Sequence, residues 1–228
     1  PIDGRTLMTT DYARTSLAPP IWVLAMAVSA ANVGISLLSP AIPQLRDDLM
    51  VTSDEAQLVL SAFLIMLGVG QLIAGSLSDR IGRRPVLVYG SLLFLLSGLG
   101  ALFSTSIEML VAMRIFQGLG AATCMAMGRV IISDSFQRAE AGRQMSTITM
   151  FQSVVPLLGF AFGGVMADLV GWRGSVGLMV VTAAMVFLGT SLLLAESRDP
   201  SIKPVPASRI IVVYGQLLVT LSLIHISE

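Results

Sequence analysis

Six apolar stretches of close to 20 residues, separated by short polar breaks, constrain this chain more than any other feature. They run over 21–38, 56–77, 86–103, 109–133, 145–170 and 174–194. A segment of that length and character spans a bilayer as a helix. A soluble bundle would need a polar face on each helix, and the third and sixth stretches carry no charged residue at all. Composition agrees: charged residues make up 12% of the 228 and the mean hydropathy is +0.83. That is too little charge to coat a water-soluble domain of this size. A net charge of zero offers no basic field for nucleic acid. A single cysteine, Cys124, excludes a disulfide framework, and one histidine, His225, argues against a histidine-built metal or catalytic centre. No nucleophile–base pair, metal cluster or phosphate loop is visible, so neither an enzyme nor a cofactor is expected. The expected class is an all-α integral membrane protein in a lipid bilayer.

The balance of charge is segregated. With the N-terminus in the cytoplasm, the inner segments carry ten of the 14 basic residues and the outer loops two, Arg46 and Arg173. Arg114 and Arg129 lie inside the fourth span. Such a bias sets a multi-pass orientation with an inner N-terminus. Trp22 and Trp172 fall at span ends, where indoles favour the membrane interface. The first span is expected to end at Pro40 and Pro43. No cleavable signal peptide is apparent: the first span is long and no small-residue cleavage site follows it.

A repeat organises the spans. Gly75, Asp79, Gly82 and Arg84 recur as Gly164, Asp168, Gly171 and Arg173, 89 residues on. The same offset superposes the starts of spans one to three on those of four to six. Two three-span units of inverted topology make a transporter architecture.

The break after the second span is the densest cluster of charge: Gly75-xxx-Asp79-Arg80-x-Gly82-Arg83-Arg84-Pro85. Gly75, one turn before Asp79, lets a neighbouring helix approach. Gly82 permits a sharp reversal. Pro85 suits a first helical turn. Asp79 sits at a helix C-terminus, where the dipole disfavours an anion, so it requires a basic partner. This segment resembles the signature loop of the major facilitator superfamily, G-x-x-x-D-R-x-G-R-R/K. The resemblance implies that the loop is a conformational latch between two six-span halves. It also suggests Asp134 as a partner for Arg83.

In the fourth span, Arg114 is about five residues from the start, or roughly 8 Å deep. A charge there faces the bundle interior or a water cavity, or else snorkels to the interface. Arg114, Gly118, Ala121, Met125 and Gly128 share one close-packing face. Leu110-xxx-Arg114-xx-Gln117-Gly118-x-Gly120-Ala121-Ala122 resembles the span-four pattern of proton-coupled members of that superfamily. The resemblance gives Arg114, Gln117, Gly118 and Gly120 a part in proton coupling or in the substrate site.

The fifth span holds Pro156, Gly159, Gly163 and Gly164. A mid-span proline frees a carbonyl and allows a bend, and the glycines allow close contact. The stretch resembles the antiporter motif of drug/proton exporters, with Phe160 in place of a proline. Pro156 as the bend, together with Ser39-Pro40-Ala41-Ile42-Pro43, resembles the Bcr/CflA drug-resistance subfamily. Where those members carry an aspartate near the end of the first span, this chain has Ser36. No carboxylate lies deep in any span, so a proton carrier would be Asp79, Asp134 or a group outside this sequence, or there is none.

The expected domains are an inner N-terminal segment (1–20), a six-span bundle (21–194), a proline-containing linker (195–209) and a tail (210–228). The tail is the start of a seventh span or non-native sequence. The resemblance implies one half of a twelve-span exporter in the cell membrane, the inner membrane of a bacterium. Its missing partner is the C-terminal half, its cargo small and mostly apolar, and its energy source protons. Rival readings are export of a sugar, amino acid or siderophore, or an inactive truncation or membrane binding module.

Overall fold

A computed structural model of the chain describes residues 19–195. The expected N-terminal segment (1–20) and linker (195–209) lie almost wholly, and the tail (210–228) wholly, outside the described residues. The described chain is helical: α1 (Ile21–Ser36), a 3-10 turn (Ser39–Ala41), α2 (Ile42–Leu49), α3 (Ser53–Ile81), α4 (Arg83–Leu102), α5 (Ile107–Ser135), α6 (Arg138–Val170) and α7 (Trp172–Leu193). Six segments are long and apolar enough to cross a membrane, α1 to α2 counting as one.

The first span differs from expectation. It does not stop at the prolines but runs to Leu49 through a break at 37–38. Pro40 falls in the first turn of the 3-10 segment and Pro43 in the first turn of α2. A missing N–H costs nothing at those positions, so the prolines restart the helix rather than end it. The other helices also outrun their apolar cores, because capping residues extend them. Thr52 and Glu55 form a reciprocal capping box at the start of α3, and the Ser106 side chain accepts from Met109 N at the start of α5.

A single residue joins α3 to α4 and another joins α6 to α7. These are Gly82 (φ +104°) and Gly171 (φ +84°), the matched glycines of the repeat. Both turns need a backbone conformation that side chains with a Cβ resist. Helix pairing follows the repeat as well. α5 packs on α3 and α4, and its repeat mate, α1, packs on α6 and α7. The self-related pairs α1–α5 and α4–α7 close the bundle.

Small residues set the closest contacts. A Cβ on Gly120 would come within 2.6 Å of Phe94 N and 2.7 Å of Gly90 O, so α5 and α4 touch at the backbone. Gly118 makes the same kind of approach to α3, and a Cβ there would lie 3.2 Å from Leu67 N. Gly159 and Gly163 admit Ser36 and Leu37 of the first-span break. Gly75 makes no such approach to any described residue. No atom lies within 4 Å of where its Cβ would be, and Gly164 meets only Pro40 at ordinary contact distance. The least buried spans are the repeat mates α3 and α6, whose outer faces present large apolar side chains such as Ile65, Leu72, Leu157 and Leu169.

Candidate functional site

Arg114 is completely buried, so snorkelling is ruled out. Its Nη2 donates to the Gly34 carbonyl at 2.7 Å, its Nε to the Val59 carbonyl at 3.3 Å and its Nη1 to Gln117 Oε1 at 2.7 Å. The guanidinium carbon lies 4.3 Å from the centre of the Phe63 ring, and Met179 sulfur is 3.6 Å from Nη1. No described carboxylate pairs with it. The first-span break explains why such a charge is tolerated. The last carbonyls of α1 lose their helical donors there. Ser39 Oγ takes that of Ile35 at 2.8 Å, and Arg114 takes that of Gly34. A cation at a helix C-terminus opposes the negative end of the dipole, and the ring face adds a cation–π contact. The arginine therefore caps a helix end inside the membrane. Gln117 is fixed by the same charge, and its Nε2 has no hydrogen-bond partner among the described residues.

At one end of the bundle, Arg83 bridges two acids. Its Nη1 lies 2.5 Å from Asp79 Oδ1, and its Nε lies 3.2 Å from Asp134 Oδ2. Nη1 also donates to Ser78 Oγ at 3.0 Å. The expected partner for Asp79 is thus Arg83, and the pairing of Arg83 with Asp134 ties the α3–α4 turn to the end of α5. Arg84 turns the other way and donates to the Ser191 carbonyl at 2.8 Å, near the C-terminus of α7. Arg80 is exposed on the last turn of α3.

The opposite end carries a counterpart. Asp48, at the end of the first span, accepts from Trp172 Nε1 and from Arg173 Nη1, both at 2.8 Å. Arg173 Nη2 donates to the Ser104 carbonyl, 3.0 Å away, just past the end of α4. Arg84 and Arg173 therefore cap the C-termini of each other's helices. In both turns an aspartate from the first helix of the other repeat clasps the residues after the glycine. Trp172 faces protein rather than a lipid interface: it is 2% exposed and donates to a carboxylate, whereas Trp22 is 53% exposed at a helix start.

Sequence reasoning missed Asp48, although the repeat held the signal. Asp134 less the 89-residue offset falls at 45, one helical turn before Asp48. It also missed Asn32 and Gln152. α6 continues without a break through Pro156. The proline withholds the donor for the Gln152 carbonyl, and Asn32 Nδ2 supplies it from α1 at 3.0 Å. Gln152 Oε1 in turn accepts from Arg129 at 3.2 Å, and its Nε2 donates to the Val28 carbonyl at 3.3 Å. One side chain thus joins α1, α5 and α6.

The network around Arg114, the two clasps and the Pro156 link share one character. Each connects spans through a few charged or amide groups in an otherwise apolar bundle. Known proteins match both the sequence and this fold. A profile of the Major Facilitator Superfamily matches residues 24–225. A chloramphenicol resistance protein of Pseudomonas aeruginosa is 32% identical over 189 residues, covering 81% of this chain and 42% of its own length. Multidrug resistance protein D of Escherichia coli (strain K12) is 30% identical over 195 residues, covering 86% of this chain and 49% of its own. The fold resembles a peptide transporter with a TM-score of 0.71 at 15% identity, over 90% of this chain and 44% of that one. It also resembles a proton:xylose symporter with a TM-score of 0.65 at 18% identity, over 78% and 44%. The chain spans about half the length of the curated relatives it matches. With a profile match over most of its length and a six-span fold shared with solved transporters, the chain belongs to the Major Facilitator Superfamily, a family of multi-pass membrane transporters.

Proposed function

We infer that this chain forms the first six-span half of a drug exporter, with its N-terminus in the cytoplasm. It moves small, mostly apolar compounds outward by alternating access in exchange for protons. The observation that carries the reading is Arg83 held between Asp79 and Asp134. An arginine shared by two acids on separate helices is a charged clasp that can open and re-form as helices shift. The apolar outer faces of α3 and α6 suit a second half of like build, and the drug-resistance relatives supply the substrate class. Pro156 in the fifth span and Ser39-Pro40-Ala41-Ile42-Pro43 at the end of the first favour the Bcr/CflA drug-resistance proteins as its subfamily.

In this reading Arg114 does not carry the proton, because a guanidinium stays charged. It fixes the charge beside the first-span break, with Gln117 as its polar extension and with Gly118 and Gly120 holding α5 close enough to place it. Proton movement falls to Asp79, Asp134 or carboxylates outside the described residues. Cells expressing the full reading frame should accumulate less chloramphenicol, and a protonophore should abolish the difference. Arg114→Ala and Asp79→Asn should each remove most of the export. Unchanged export in both variants sinks the assigned roles, and export indifferent to the protonophore sinks proton exchange.

A further inference from the structure

The span of α5 carries two arginines, and the structure provides for them unequally. Arg114 has three acceptors and a ring face. Arg129, roughly 22 Å further along the helix, has one: its Nη2 donates to Gln152 Oε1 at 3.2 Å. A guanidinium has five N–H donors to place. No other acceptor, and no carboxylate, reaches Arg129 among the described residues. The next acid along α5, Asp134, is engaged by Arg83. A charge within a span is normally paired or faces a water-filled cavity.

The one acceptor is itself held in place. Gln152 Nε2 donates to the Val28 carbonyl at 3.3 Å, and its main-chain carbonyl accepts from Asn32 Nδ2 at 3.0 Å. Gln152 thus fixes one arm of the guanidinium, while Nη1 and Nε have no acceptor among the described residues. Met125, one turn before Arg129, accepts from Gln71 Nε2 of α3 at 3.7 Å. The strip of α5 that carries Met125 and Arg129 therefore runs between α3 and α6. It is accessible: Gln71 is exposed, and Met125, Arg129 and Gln152 are half-buried. The flanking spans bring no charge to it, since 21–45, 56–78 and 144–167 hold no acidic or basic residue.

We propose that Arg129, held by Gln152, decides cargo specificity by binding the carboxylate of a small amphipathic monocarboxylic acid whose apolar body lies along Met125. A planar fork with unmet donors matches a carboxylate better than any neutral group. One negative charge balances one positive charge on a strip that has no other. A cationic compound meets repulsion there, and a neutral one forgoes the charge-assisted bond. Met125 offers an adaptable apolar surface beside the charge. The assignment to cargo rests on the exporter reading, whereas the binding is measured without transport.

The full chain in phosphatidylcholine nanodiscs is titrated with 4-fluorobenzoate and with the neutral 4-fluorobenzamide, and binding is followed by fluorine NMR. The acid should bind saturably and about 10- to 100-fold more tightly than the amide, the worth of a hydrogen bond to a charged group. Arg129→Gln should collapse that ratio to near one, and Arg129→Lys should retain part of it. Equal binding of acid and amide to the unaltered protein overturns the proposal, as does a preference undiminished in Arg129→Gln. A second measurement needs no variant. A diazirine-bearing benzoate photolysed with the unaltered protein should label peptides containing Met125 or Gln152, and saturable labelling confined to other peptides overturns the site. Acid binding without export of chloramphenicol would sink the exporter reading and leave the carboxylate site standing. Export without discrimination between acid and amide would sink the site alone.

Discussion

The side-chain amide of Asn32 donates to the main-chain carbonyl of Gln152, the group that Pro156 deprives of its helical donor. A proline kept in the interior of a membrane helix thus has its cost met from a neighbouring span. Asn32→Leu strands that carbonyl and should destabilise the protein by about 1–3 kcal/mol. In a Pro156→Ala background the backbone N–H returns, and the same substitution should cost far less. Thermal unfolding of the two singles and the double gives the coupling directly. Additive losses would mean that the amide and the proline are unrelated.

The glycines divide by what surrounds them. Gly120→Ala drives a methyl into the backbone of α4 and should cost several kcal/mol or prevent folding, since overpacking typically costs about 1–3 kcal/mol where side chains can yield and backbone cannot. Gly171→Ala meets no described atom within 4 Å, but φ is +84° with an extended ψ that only glycine adopts readily, so strain alone should cost about 1–3 kcal/mol. Gly75→Ala meets nothing at helical φ and should be neutral or stabilising by about 0.5–1 kcal/mol. Melting temperatures of the three variants check the order, and a large loss for Gly75→Ala would contradict it.

Arg114→Lys keeps the charge and loses the planar fork. One ammonium cannot serve the carbonyls of Gly34 and Val59 and the amide of Gln117 in the same geometry. The variant should unfold at lower temperature and export no better than Arg114→Ala. Export at the unaltered level from the lysine variant would show that charge alone is needed.

The Asp48 clasp is readable by fluorescence. In a Trp22→Phe background, emission comes from Trp172, buried with its N–H on Asp48. Asp48→Leu leaves that N–H and Arg173 without their shared acceptor and should shift emission to the red and lower stability by about 1–3 kcal/mol. An unmoved spectrum would place the indole's burial elsewhere than in this contact.

The spans were legible because bilayer thickness writes itself into run length, and the repeat because glycine, aspartate and arginine recur at fixed spacing. The pairing of Arg83 with Asp134 was legible only through the family pattern. The extension of the first span to Leu49 was not, because Pro40 and Pro43 look like terminators until the break puts each in a first turn. Nor was the burial of Trp172. An indole at a span end favours the interface by composition, and only tertiary placement of Asp48 brings it inside. Gly75 has no close neighbour among the described residues, because a small residue permits close approach without causing it.

Arg114 has one more consequence, for assembly. A ribosome delivers this chain from its N-terminus, so α1 and α3 are made before α5. The carbonyls of Gly34 and Val59 and the ring of Phe63 all precede the arginine in the sequence, and Gln117 follows it within one turn. Of these contacts among the described residues, only Met179 comes from a span made later. The most costly side chain to insert thus arrives after nearly all of its acceptors, and the order of synthesis itself spares the membrane an unaccompanied charge.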